Sequence, residues 1–121
     1  MTAIPLSPYE IAEQIVLENE QITQIVEHLT EMAHASAVSE ADYKFQFASA
    51  RLKAWDDAAK RKDKITVGEA EDIATVATYT ERQLFLHNMQ ILAATKEALK
   101  ARMAKLNSLQ TLASMTVRAG G

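Results

Sequence analysis

The chain has 121 residues and a mass of 13.4 kDa, room for one domain over 1–121 and not for two well-buried cores. With 48% apolar and 24% charged residues the composition is that of a globular protein and excludes wholesale disorder. The absence of cysteine excludes a disulfide scaffold, a Cys-based zinc site and a thiol nucleophile, and no apolar run approaches the ~20 residues of a membrane span.

Both prolines fall within the first eight residues, so everything after Pro8 is free to be helical. Ser7-Pro8-Tyr9-Glu10 reads as a helix start: a capping serine, a proline where its missing N–H is harmless, and a glutamate at the third position. Leu6 and Ile11 are placed for a hydrophobic staple. Ile11, Ile15, Glu18, Ile22, Ile25, Leu29 and Met32 then alternate spacings of four and three, a heptad seam with one polar position at Glu18. The expected first helix covers 8–35.

Ser39-Glu40-Ala41-Asp42 reads as a second start, with acids in the first turn. Ala41, Phe45, Ala48, Leu52, Trp55 and Ala59 form another four-three ladder, which runs out at Lys60-Arg61-Lys62-Asp63-Lys64. The expected second helix covers 39–62. Thr66-Val67-Gly68-Glu69 is a third capping box, preceded by Ile65. No Pro follows and no Gly intervenes before Gly120, so the third helix is expected over 67–117, on the order of 75 Å if unbroken. A helix of that length must break or project, and Asn88 and Asn107-Ser108, weak helix formers, are the expected bends. Its apolar residues fall in two rows, Ala77-Leu84-Ile91-Ala98 and Leu92-Leu99-Leu106-Ala113. The expected fold is all-α, two shorter helices packed along one long C-terminal helix as a hairpin or bundle. Leu99, Met103, Leu106 and Leu109 are expected to remain exposed and to join copies of the chain into an oligomer.

The net charge of −3 hides an uneven distribution. Residues 1–43 carry eight acids and no Lys or Arg; residues 44–64 carry seven basic residues against three acids. Residues 65–95 are acidic again, and 96–121 hold five basic residues against Glu97 alone. Such segments fit a basic surface for an anionic partner, or complementary parts of one assembly in which the acidic first helix packs beside a basic one.

Catalytic and metal chemistry find little footing. His28 and His34 are six apart, His87 is remote, and Glu31 three residues before His34 is the nearest approach to a Glu-x-x-His ligand pair. His87, between Leu84 and Ile91, is expected in a core or an interface. Gly68 stands alone, so no phosphate-cradling loop exists, and Asp56-Asp57 and Glu71-Asp72 diverge on a helix. A non-enzymatic protein without metal or cofactor is expected. The region from Tyr43 to Lys64 mixes basic residues with aromatics, the composition that neutralises phosphates and stacks on bases of single-stranded nucleic acid. Phe45 and Trp55 have a seam to fill, which leaves Tyr43 and Phe47 for stacking and Arg51, Lys53, Lys60, Arg61, Lys62 and Lys64 for phosphates. Lys100, Arg102 and Lys105 are a second basic group that either contacts phosphate or pairs with the acidic first helix.

At Ala98-Leu99-Lys100-Ala101-Arg102 the chain resembles the UvsY family, the recombination mediators of tailed phages, through Leu99, Lys100, Ala101 and Arg102. Arg51-Leu52-Lys53-Ala54-Trp55 is a looser echo. The resemblance implies a small, all-helical, cysteine-poor oligomer in the host cytoplasm that loads a recombinase onto single-stranded DNA, with the Leu-Lys-Ala-Arg stretch in contact with DNA. Met103-Ala104-Lys105 follows where the family has aromatic residues, and the stretch lies near the C-terminus where the family's lies in the middle. The alternative is a protein–protein adaptor or assembly protein without nucleic-acid binding, expected if the N-terminal acids cover the basic segments.

Overall fold

The computed structural model describes residues 6–120, and it is all-α: α1 (Pro8–Lys60), α2 (Val67–Ala77) and α3 (Tyr79–Gly120). The fold class and the number of helices are as the sequence predicts. Two boundaries are corrected. The expected helices 8–35 and 39–62 are one continuous α1, and the expected helix 67–117 is divided at Thr78.

The two capping boxes at true starts form. Ser7 Oγ accepts from the Glu10 amide at 3.2 Å and donates to the Glu10 carboxylate at 3.0 Å; Thr66 and Glu69 repeat the arrangement at 3.1 and 3.3 Å. Ile11 is buried while Leu6 is exposed. Ser39, the expected third cap, lies inside α1. Its hydroxyl donates to the Ser36 carbonyl at 3.0 Å. No Gly or Pro interrupts the segment, and Ser36 and Ser39 keep the four-three phase of Ile11 to Met32, so the helix has no reason to stop. It stops at Lys60 in a Schellman motif: the Asp63 amide bonds to the Ala58 carbonyl at 2.9 Å and the Lys62 amide to the Ala59 carbonyl at 3.0 Å. Lys62 occupies the left-handed position with φ 58°, where glycine is usual.

The break at Thr78 has a local cause. Thr75, Val76, Thr78 and Thr80 crowd β-branched side chains into one turn and a half, which weakens the helix there. The Ala74 carbonyl takes both the Thr78 amide, at 3.0 Å, and the Thr78 hydroxyl, at 2.7 Å, a bond that bends helices. Thr78 leaves helical geometry (φ −110°, ψ 22°), and its own carbonyl accepts from the Arg82 amide to start α3. The expected bends at Asn88 and Asn107-Ser108 lie inside α3, which is uninterrupted there.

The chain divides into two compact units, one made of residues up to Glu31 and from Ala93 onward, the other of Met32–Leu92. In each, a stretch of α1 packs beside a stretch of α3. In the first unit Ile11, Ile15, Glu18, Ile22, Ile25 and Leu29 turn inward on α1, and Thr95, Leu99, Arg102, Leu106 and Leu109 on α3. In the second, Met32, Ser36, Ser39 and Tyr43 continue the α1 row, and Phe85, Asn88 and Leu92 that of α3. Asn88 is here a cross-helix link: its amide donates to the Ala35 carbonyl at 3.3 Å and to Ser39 Oγ at 3.1 Å. The second unit also holds α2, whose buried residues are Ala70 and Ala74, one turn apart as are the buried Ala54 and Ala58 of α1. Side chains this small let helix backbones approach closely.

Candidate functional site

Three clusters bear on function: the basic residues of the first unit, the aromatic and basic residues of the second, and the apolar row that α1 leaves outside.

In the first unit Glu18, the polar interruption in the N-terminal seam, is buried at 3% side-chain exposure. Its Oε1 receives Arg102 Nη1 at 3.0 Å and Lys105 Nζ at 2.8 Å. The Lys105 hydrogen bond lowers the Glu18 pKa below its usual value, burial opposes it, and the charges of Lys105 and Arg102 add to the lowering. Two of the three C-terminal basic residues expected at phosphates are thus bound to an acid of the first helix. The third, Lys100, is exposed and 3.6 Å from Glu97. This is the complementary-segment arrangement that the charge distribution also allowed. Arg102 sits in phase with Asn88, Thr95 and Leu109 at spacings of seven, the signal that marks it as a seam residue.

The expected apolar contact of the long helix is corrected alongside. Leu109 is buried, Leu99 and Leu106 are half-buried, and Met103 alone of the four is exposed. The three leucines lie on the inner row of α3 and contribute to the packing of their own unit.

In the second unit the aromatic assignments reverse. Tyr43 and Phe47, expected to be free for base stacking, are half-buried. Tyr43 stacks on Phe85 with ring centres 5.9 Å apart and meets Phe47 edge-on at 6.1 Å. Phe45, expected in the core, is 67% exposed. One phase decides both: with Ser36 and Ser39 inside, Tyr43 follows them inward and Phe45 must point out. Arg51 lays its guanidinium 5.9 Å from the centre of the Trp55 ring. Lys60 pairs with Asp56 at 3.1 Å and Arg61 with Asp63 at 3.4 Å, both exposed. Lys53, Lys62 and Lys64 are exposed, with no ion pair among the described residues.

Comparison with family models, with curated proteins and with solved structures finds no match.

The third cluster is legible in the sequence as a pattern but not in its placement. Of the ladder from Ala41 to Ala59, expected as a core seam, Ala41, Phe45, Leu52 and Ala59 are exposed and Ala48 and Trp55 half-buried. Leu52 is 63% exposed and Val38, in the same row, 55%. Val38, Phe45 and Leu52 recur every seven residues, with Ala41 and Ala48 between them.

His28, His34 and His87 are all exposed, so of the two places expected for His87, a core or an interface, the core is excluded. Among the described residues no three His, Cys, Asp or Glu side chains converge as metal ligands would, and no helix is long and apolar enough to cross a membrane.

Proposed function

We propose that the chain is a non-enzymatic assembly protein, a cytoplasmic homo-oligomer whose product is its contact surface. One observation carries this reading: the outward row of Val38, Phe45 and Leu52 on α1, large apolar side chains aligned along one helix face. Isolated chains seldom leave such a stripe in water. The commitment of Arg102 and Lys105 to Glu18 supports it from the other side, because it removes charge from the segment with the UvsY-like residues.

The second reading, a mediator that binds single-stranded DNA and hands it to a recombinase, is favoured by the turn after α1, where Lys62 and Lys64 are exposed without an ion pair among the described residues. One pair of measurements separates the two. Sedimentation equilibrium at micromolar concentration should give a multiple of 13.4 kDa. Fluorescence anisotropy with a labelled single strand at low salt should show no binding at tens of micromolar, roughly the weak end of non-specific affinity. A monomer contradicts the assembly reading. Binding that weakens with salt at a slope of about −0.7 per phosphate contact, flattened when Lys60, Arg61, Lys62 and Lys64 are all changed to Ala, establishes the mediator instead.

A further inference from the structure

We propose that the outward face of α1 over residues 38–59 is the seam of a parallel, in-register, two-stranded coiled coil with a second copy of this chain. The inference rests on the assembly reading and names its partner and geometry.

The face is a regular heptad. With Val38, Phe45 and Leu52 at position a, position d falls on Ala41, Ala48 and Trp55, three consecutive heptads. Its limits are set by chemistry. One heptad upstream the same positions hold Glu31 and His34, both exposed, and downstream the helix ends at Lys60. The apolar stripe therefore has the length of a short coiled coil and polar residues at its N-terminal border.

Charge complementarity selects the occupant and its direction. The positions flanking the seam are basic on one side, Lys44 and Arg51 at g, and acidic on the other, Asp42 and Asp56 at e. In a parallel pair each g residue faces the e residue five positions on in the second strand. Arg51 then meets Asp56 of the second copy, which shares its carboxylate with the exposed Lys60 of its own chain, and two-fold symmetry makes the pair twice; Lys44, paired with Glu40 in its own chain, meets the neutral Ser49. In an antiparallel pair g faces g, which sets Lys44 against Arg51 of the second copy, like charges on both sides of the two-fold axis. A surface whose own flanks complement it in one orientation and repel in the other fits a second copy better than an unrelated helix. The Arg51 guanidinium already lies over Trp55 at the seam's edge, which holds it near the position the contact requires.

The chain lacks cysteine, so introduced thiols report orientation without background. Ala41→Cys alone should oxidise to a disulfide-linked dimer, because a parallel register places the two position-41 side chains opposite each other. Phe45→Glu/Leu52→Glu, at exposed positions, should leave the far-UV circular dichroism unchanged and raise the dissociation constant at least about a hundredfold. Arg51→Glu should weaken association by roughly 3–10-fold, and adding Asp56→Arg should restore it, since the swapped pair attracts again. Disulfides that form only when Ala41→Cys and Leu52→Cys chains are mixed would overturn the parallel register. Self-association that survives Phe45→Glu/Leu52→Glu would overturn this interface while leaving the assembly reading intact. A chain that stays monomeric throughout would overturn both.

Discussion

Reversing the charge at Glu18 is expected to cost the first unit its stability, while the same reversal at the exposed Glu13 changes little. Glu18→Lys would put an ammonium group at a buried position in the seam, with its carboxylate partner gone and Arg102 and Lys105 beside it, so the lost attraction becomes an unpaired buried charge. Thermal melts should show a clearly lower midpoint, and hydrogen exchange should speed up in residues 8–31 and 93–118. Glu18→Leu should behave oppositely: it extends the isoleucine row, and Arg102 and Lys105, half in solvent already, can turn to water, so stability should hold or rise. The pH dependence follows from the lowered pKa. The folded chain releases the Glu18 proton more readily than the unfolded chain, so the contribution is complete above the ordinary value of 4.5 and is lost as pH falls through the lower folded value. Wild type should therefore lose more stability than Glu18→Leu on acidification below about pH 4.5. Equal losses in the two chains would show that the pair contributes nothing.

Ala74→Leu is expected to destabilise the second unit by about 1–3 kcal/mol. An isolated helix of eleven residues is marginal in water, so α2 depends on its packing, and its buried face consists of Ala70 and Ala74 alone. Both are fully buried, and a branched side chain at either has to push α2 off its neighbours. Ile73→Ala, at an exposed neighbouring position, should change stability by less than about 0.5 kcal/mol and serves as the control. Urea denaturation gives both values. Wild-type stability for Ala74→Leu would mean that α2 is not docked through its alanines.

These residues also show where the sequence was legible. Periodicity alone yields the inner row from Ile11 to Met32, and capping chemistry yields the starts of α1 and α2. Both are local signals: side-chain spacing on one helix, and one side chain answering one amide. The seam beyond Met32 was hidden because its inward members are polar. Ser39 satisfies the cap rule as well as it satisfies the seam, and only Asn88, brought from 49 residues away, decides between them. Arg102 satisfies the pattern of a basic DNA-contacting helix until Glu18 is placed beside it. In α3 a search for apolar residues finds two drifting rows; adding Asn88, Thr95 and Arg102 restores a regular three-four ladder from Phe85 to Thr116. The break at Thr78 escaped because it arises from clustered β-branched residues and not from Gly, Pro or Asn. The ladder from Ala41 to Ala59 is legible by its spacing, but the outward side of Ala41, Phe45 and Leu52 is not, since a heptad pattern specifies a partner without saying whether that partner is the same chain.

The phase of α1 through Ser36 and Ser39 turns Tyr43 inward and Phe45 outward. Residue-resolved hydrogen exchange across 33–42 tests it most directly. A helix continuous from Pro8 to Lys60 predicts amides at 36–39 protected as strongly as those at 43–46. Exchange at 36–39 near the rate of an unstructured chain would mean that α1 breaks there, that Ser39 is a cap, and that the ladder from Ala41 to Ala59 is free to turn into the core.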